Sequence, residues 1–166
     1  MQRRRRSGTA SKKPQIILNY ARASRGPWRL KALIDVAGHP VTSRFIPVRP
    51  TNDKYSLAVL WALLNSPIAN AFAFSYLSKR DNLVGDIRRL PMPTSTSFTA
   101  VSKAATKYLE MASAGADAQT LQSLMAEIDC VVLELYKLPV KLERTVLDLF
   151  ADYDRVGVPF QQTRYF

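Results

Sequence analysis

Apolar positions recur every second residue before Lys54 and every third or fourth residue after it, so the pattern predicts strands first and helices second. Residues 15–20 are a short apolar run compatible with a buried strand, and residues 21–27, with Arg22, Arg25 and Gly26, read as a polar turn. Trp28, Leu30, Ala32, Ile34 and Val36 then alternate with Arg29, Lys31, Leu33 and Asp35, the period of a half-buried strand. Gly38, His39 and Pro40 read as a turn and residues 41–48 alternate again. This predicts a hairpin over residues 28–48, with Arg29, Lys31 and Arg44 on its solvent face or edges. Pro47 and Pro50 confine the second strand to a sheet edge or end it.

Residues 55–64 are apolar almost all round, which predicts a helix covered on several sides, and residues 67–77 its partner. Pro67 suits a first helical turn, Asn65 or Ser66 can cap it, and Pro91 and Pro93 forbid continuation. A Thr/Ser/Pro linker over 93–99 precedes a helix over 100–112, and Gly115 with Asp117 breaks and restarts the pattern. Leu121, Leu124, Met125, Ile128, Val131, Val132 and Leu135 form a clean helical stripe, read as a core face in an antiparallel helical hairpin rather than a partner-binding groove. Pro139 opens a last helix over 140–153, and residues 156–166 are an aromatic-rich tail. The expected fold is α+β in one domain over residues 14–166: a small β part over 14–50 and a mainly helical part over 54–153.

Charge adds a direction to this picture. The 166 residues carry a net charge of +11; residues 1–50 hold twelve Lys/Arg against the single acid Asp35, and residues 51–166 are balanced. A one-sided basic field attracts a polyanion. Residues 1–13, with Arg3 to Arg6, Lys12 and Lys13, read as a disordered low-complexity arm, yet the bias survives without it. No apolar stretch follows the arm closely enough for a secretory signal, so a cytoplasmic location is expected. Residues 57–77 have the length of a membrane span, but Asn65, Ser66, Pro67 and Asn70 interrupt them, and two buried helices account for them better. The lone Cys130 excludes an internal disulfide and reads as a packed thiol.

Catalytic parts are sparse. Metal-assisted cleavage needs clustered carboxylates or histidines, whereas the basic third offers only Asp35, and the single His39 falls in a predicted turn. Asp81 and Asp86 lie beside Arg80, Arg88 and Arg89, where salt bridges are the expected role. No nucleophile set assembles from one His and one Cys, and neither a metal nor a cofactor is expected.

Two segments carry a family resemblance. The stretch LNSPIANAFAFSYLSKRDNLVGDIRRLPMP over 64–93, and then Ile128, Asp129, Val132, Leu135, Tyr136 and Leu138 in the spacing I-D-x-x-V-x-x-L-Y-x-L, resemble the specificity domain of TaqI-like N6-adenine DNA methyltransferases. Related elements recur in specificity subunits of type I restriction systems. The resemblance implies a target-recognition module that binds double-stranded DNA, with a β-rich part followed by a helical hairpin. The strand content before Lys54 is smaller than a full recognition domain, which implies a β part truncated or completed by another chain. The glycine-rich site for S-adenosylmethionine and the Asn/Asp-Pro-Pro-Tyr/Phe loop of such enzymes are absent from the sequence, which implies a separate methyltransferase catalytic subunit.

Duplex DNA is held through phosphates by Arg and Lys and read through bidentate Arg, Lys, Asn or Gln contacts. On that basis Arg22, Arg25, Arg29, Lys31 and Arg44 are candidates on the hairpin, and Lys79, Arg80, Asn82, Arg88 and Arg89 in the loop before Leu90. The resemblance places 86–93 at a junction, which leaves a structural role open for Arg88 and Arg89; Trp28 and Tyr20 read as core more readily than as base-stacking groups. A protein-interaction module with a basic tail and an RNA-binding accessory protein are the alternatives.

Overall fold

The computed structural model describes residues 12–155 apart from 52, 78, 79 and 96. Three strands, β1 (Gln15–Asn19), β2 (Ala32–Asp35) and β3 (Phe45–Val48), are followed by α1 (Leu57–Asn65), α2 (Pro67–Tyr76), α3 (Val84–Ile87), α4 (Thr99–Ser113), α5 (Ala118–Tyr136) and α6 (Val140–Asp148). This is the expected α+β order. The expected hairpin over 28–48 is not formed: the sheet order is β2-β1-β3, antiparallel throughout, with Leu18 opposite Ala32 on one side and Ile46 on the other. β1 takes the centre because Ile16 and Leu18 are fully buried, whereas β3 has Phe45 and Pro47 exposed. Residues 36–44 therefore carry the chain from one edge to the other, two strand spacings or about 10 Å.

Ahead of β2, residues 28–31 are extended chain in which the N–H groups of Arg29, Leu30 and Lys31 donate to asparagine side chains. Asn70 Oδ1 on α2 accepts from the N–H groups of Arg29 at 2.8 Å and Leu30 at 2.7 Å. Asn65 on α1 forms a two-way amide pair with Ala32, accepting from its N–H at 2.9 Å and donating to its carbonyl at 3.2 Å. The apolar helix pair thus closes the edge of the sheet with two buried amides. Ser66, and not Asn65, is the cap of α2, accepting from Ala69 N–H, and Pro67 sits in its first turn. The two helices meet at a 52° bend, and among the described residues no single helix is long and apolar enough to cross a membrane. α1 is buried from Val59 to Asn65.

Under this layer α4 and α5 pack along each other. Gly115, at φ +79°, makes the turn between them, and Asp117 caps α5 by accepting from Thr120 N–H. Leu121, Leu124, Met125, Ile128 and Val132 are buried as the stripe predicts, and Tyr108 stacks on Trp61 with centroids 5.1 Å apart. Cys130 is exposed, contrary to the packed thiol expected: two residues past Ile128 it has rotated about 200° from the stripe. The last helix stops at Asp148 rather than 153, because the chain turns to stack Phe150 on Trp28, with centroids 4.1 Å apart, and to accept from Trp28 Nε1 at Tyr153 O. Gly26 admits this turn, since a Cβ there would meet the Tyr153 ring at 2.6 Å. Lys12 donates through its backbone to Gly38 O, so the last two residues of the expected arm lie against the sheet; residues 1–11 and the tail 156–166 are outside the described residues.

Asn70→Ala leaves the buried Leu30 N–H without an acceptor and leaves Arg29 N–H with Pro27 O at 2.9 Å. We expect a loss of about 1–3 kcal/mol in urea unfolding for the orphaned donor, against little change for the exposed Ser75→Ala on the same helix.

Candidate nucleic-acid interface

Three chain segments meet where β1 ends. Tyr20 N–H donates to Arg44 O at 3.0 Å, Asn82 N–H donates to Tyr20 O at 2.7 Å, and Ala21 bridges Asp81. Arg22, Arg44 and Arg80, separated by up to 58 residues in sequence, are thereby brought to one end of the sheet, and all three are exposed. Arg25 is exposed on the same loop as Arg22. Arg80 Nε lies 3.9 Å from Asp81 Oδ2, the salt bridge expected of that acid. Lys31 is half-buried, and burial lowers the pKa of its ammonium.

Two expected contact residues point inward instead. Arg29 is 2% exposed and donates through Nη1 to Ala73 O at 3.2 Å, because Asn70 draws its backbone against α2. Burial, and then the neighbouring Arg22 charge, lower its pKa. Asn82 is 1% exposed; its Nδ2 donates to Asn19 O at 3.0 Å, so its amide is spent on joining the segments. Lys79 lies outside the described residues. Arg88 and Arg89 are exposed but belong to another part of the surface, after α3, where Arg88 helps line an apolar cavity beside β3.

A second polar network closes the opposite end of the sheet, and the sequence carried little sign of it. Asp35 accepts from Gln15 Nε2 at 2.7 Å, from Gly38 N–H and from His39 N–H, and pairs with His39 Nδ1 at 2.7 Å. Gln15 in turn accepts from Arg49 Nη2 at 2.6 Å, which fixes an arginine that no motif singled out. His39 lies in the connection from β2 to β3, just after the bend at residues 36–37 and not in a hairpin turn.

The two resembling segments touch. Tyr136 hydroxyl donates to Pro91 O at 2.8 Å, and burial raises its pKa. Arg155 Nη2 donates to both Asp129 carboxylate oxygens, at 2.9 and 2.8 Å, and reaches Asn65 O at 3.4 Å, with its guanidinium 4.1 Å above the Trp28 ring. Burial raises the Asp129 carboxyl, and Arg155 opposes that rise. Among the described residues no group of three or more His, Cys, Asp or Glu could hold a metal ion. No protein-family model matches the chain, and no curated protein matches it. What fold and site define is an α+β chain with an arginine cluster at one sheet end and two sequence motifs joined through its helical layer.

Burial alone would raise the Asp35 carboxyl, but the hydrogen bonds from Gln15 and His39 outweigh it and hold it below the ordinary range. A lowered folded-state pKa stabilises the fold above the unfolded value of about 3.9 and loses that contribution as pH falls through the folded value. Asp35→Asn should therefore be less stable than wild type at neutral pH, with the gap closing on acidification. A gap independent of pH in matched denaturant melts would show that the carboxylate charge has no such role.

Proposed function

We propose that the chain is a DNA-binding target-recognition module of a restriction-modification type N6-adenine methyltransferase, whose catalytic part is a separate subunit. The observation that carries this reading is the convergence of Arg22, Arg44 and Arg80 from three segments onto one sheet end. Phosphate positioning needs such a preorganised cationic face, and rigid elements beneath it set the register for base contacts. Arg25 extends that face along the same loop. The joining of the LNSPIANAF-to-LPMP segment to the I-D-x-x-V-x-x-L-Y helix through Tyr136 and Asp129 supports the resemblance on which the methyltransferase assignment rests. Arg29 and Asn82 have structural roles in this reading, and a cytoplasmic location goes with it.

Selection of a randomised duplex pool by the full chain near physiological salt should retain an enriched motif. Arg22→Glu with Arg44→Glu should abolish the enrichment, and each lost phosphate contact should flatten the plot of log K against log salt by about 1. Retention without any enriched sequence would sink target recognition and leave only a basic, sequence-blind surface.

A further inference from the structure

A cavity of about 270 Å³ opens between β3, α1, α3 and the turn at 90–92. Its walls are apolar, Ile46, Leu60, Leu64 and Leu90 among them, and the charged residues that line it, among the described residues, are Arg49 and Arg88. Val84 and Met92, also in the wall, are 49% and 44% exposed, so the hollow lies within an apolar surface patch. It is held open from behind: Tyr136 hydroxyl pins Pro91 O, and Gln15 holds Arg49. The volume falls below the roughly 300–1,000 Å³ of small-molecule and cofactor sites, yet suits one large side chain.

The neighbouring strand edge narrows what could enter. Tyr20 donates to Arg44 O, so with the β1–β3 register Ile46 and Val48 direct their backbone bonds to β1, leaving Phe45 and Pro47 to face outward. Phe45 N–H already donates to Thr42 O, and Pro47 has none. An added strand would find no donor at either position, so the partner must engage by side chains.

We propose that this cavity docks a partner protein, which inserts one large apolar side chain beside β3 and sets carboxylates against Arg49 and Arg88. A buried apolar anchor within a charged rim is the arrangement that concentrates binding energy in protein interfaces, and the two arginines that line this cavity complement an acidic partner. The proposal does not rest on DNA recognition, since the cavity lies beside β3 and takes neither Arg22 nor Arg80 into its wall.

The probe is the peptide acetyl-Glu-Glu-Trp-Glu-Glu-amide, titrated into methyl-labelled full-length chain. Shifts are expected at Ile46, Val48, Val84 and Met92 and not at the core methyls of Val101 and Leu121. The versions with Lys in place of Glu, or Ala in place of Trp, should bind at least about tenfold more weakly. Arg88→Glu, checked by a thermal melt, should invert the charge preference towards the Lys peptide; if that variant does not fold, Met92→Asp should abolish the shifts while keeping the melt. Absence of pocket shifts at saturating probe, or equal shifts from the Glu and Lys peptides, would overturn the proposal. So would a short duplex DNA that shifts these methyls more strongly than the peptide, because the surface would then belong to nucleic acid.

Discussion

Two buried asparagine amides on the apolar helix pair hold the small sheet to the helical layer. Asn65 takes both backbone groups of Ala32, and Asn70 takes the N–H groups of Arg29 and Leu30. A three-stranded sheet of four- and five-residue strands has little area with which to stabilise itself, and the edge of β2 would leave backbone donors and acceptors buried and unpaired. The amides remove that penalty from within the helices. They also explain why polar residues interrupt so apolar a segment: a carboxamide donates and accepts at once, which no aliphatic side chain does.

Much else follows from that seam. Because Asn70 pulls residues 29 and 30 onto α2, the Arg29 guanidinium is carried to Ala73 O and away from solvent. Trp28, one residue earlier, is turned to meet Phe150 and Arg155, and Arg155 reaches back to Asp129 and to Asn65 O. The loop of Arg22 and Arg25, the C-terminal turn and α5 are therefore coupled through one aromatic ring. Three of the exposed arginines, Arg22, Arg44 and Arg80, stand on segments tied by backbone bonds and by the amide of Asn82. Their geometry is that of a rigid scaffold and not of a loose basic tail.

The sequence was a good guide to which residues are basic and a poor one to which way they face. Exposure of Arg22 and Arg25 followed from a polar turn, that of Arg44 from its place on the solvent face of the 41–48 alternation, and that of Arg80 from the polar loop before Leu90. Arg29 and Asn82 defeated the same reasoning, because a period of two assigns a face only if the segment is a strand, and a polar loop residue is exposed only if no distant carbonyl recruits it. Arg49 had no signal at all, since its partner Gln15 lies across the sheet 34 residues away. The two motifs were visible separately; that Tyr136 bonds Pro91, 45 residues apart, was not.

The sequence by itself determined the order of elements, the helix pair broken at Ser66 and Pro67, the buried stripe of α5 and the concentration of positive charge in the first third. These are local: caps, proline, periodicity and composition act within a few residues. Tertiary structure decided that β1 is the central strand and that residues 28–48 do not form a hairpin, because pairing is settled by which strand buries most apolar surface and not by adjacency in the chain. It decided the end of α6 by the packing of Phe150 on Trp28, and the outward face of Cys130 by a rotation of about 200° from the buried stripe. Long-range hydrogen bonds from Asn65, Asn70 and Asn82 chose among arrangements that the local pattern left equal.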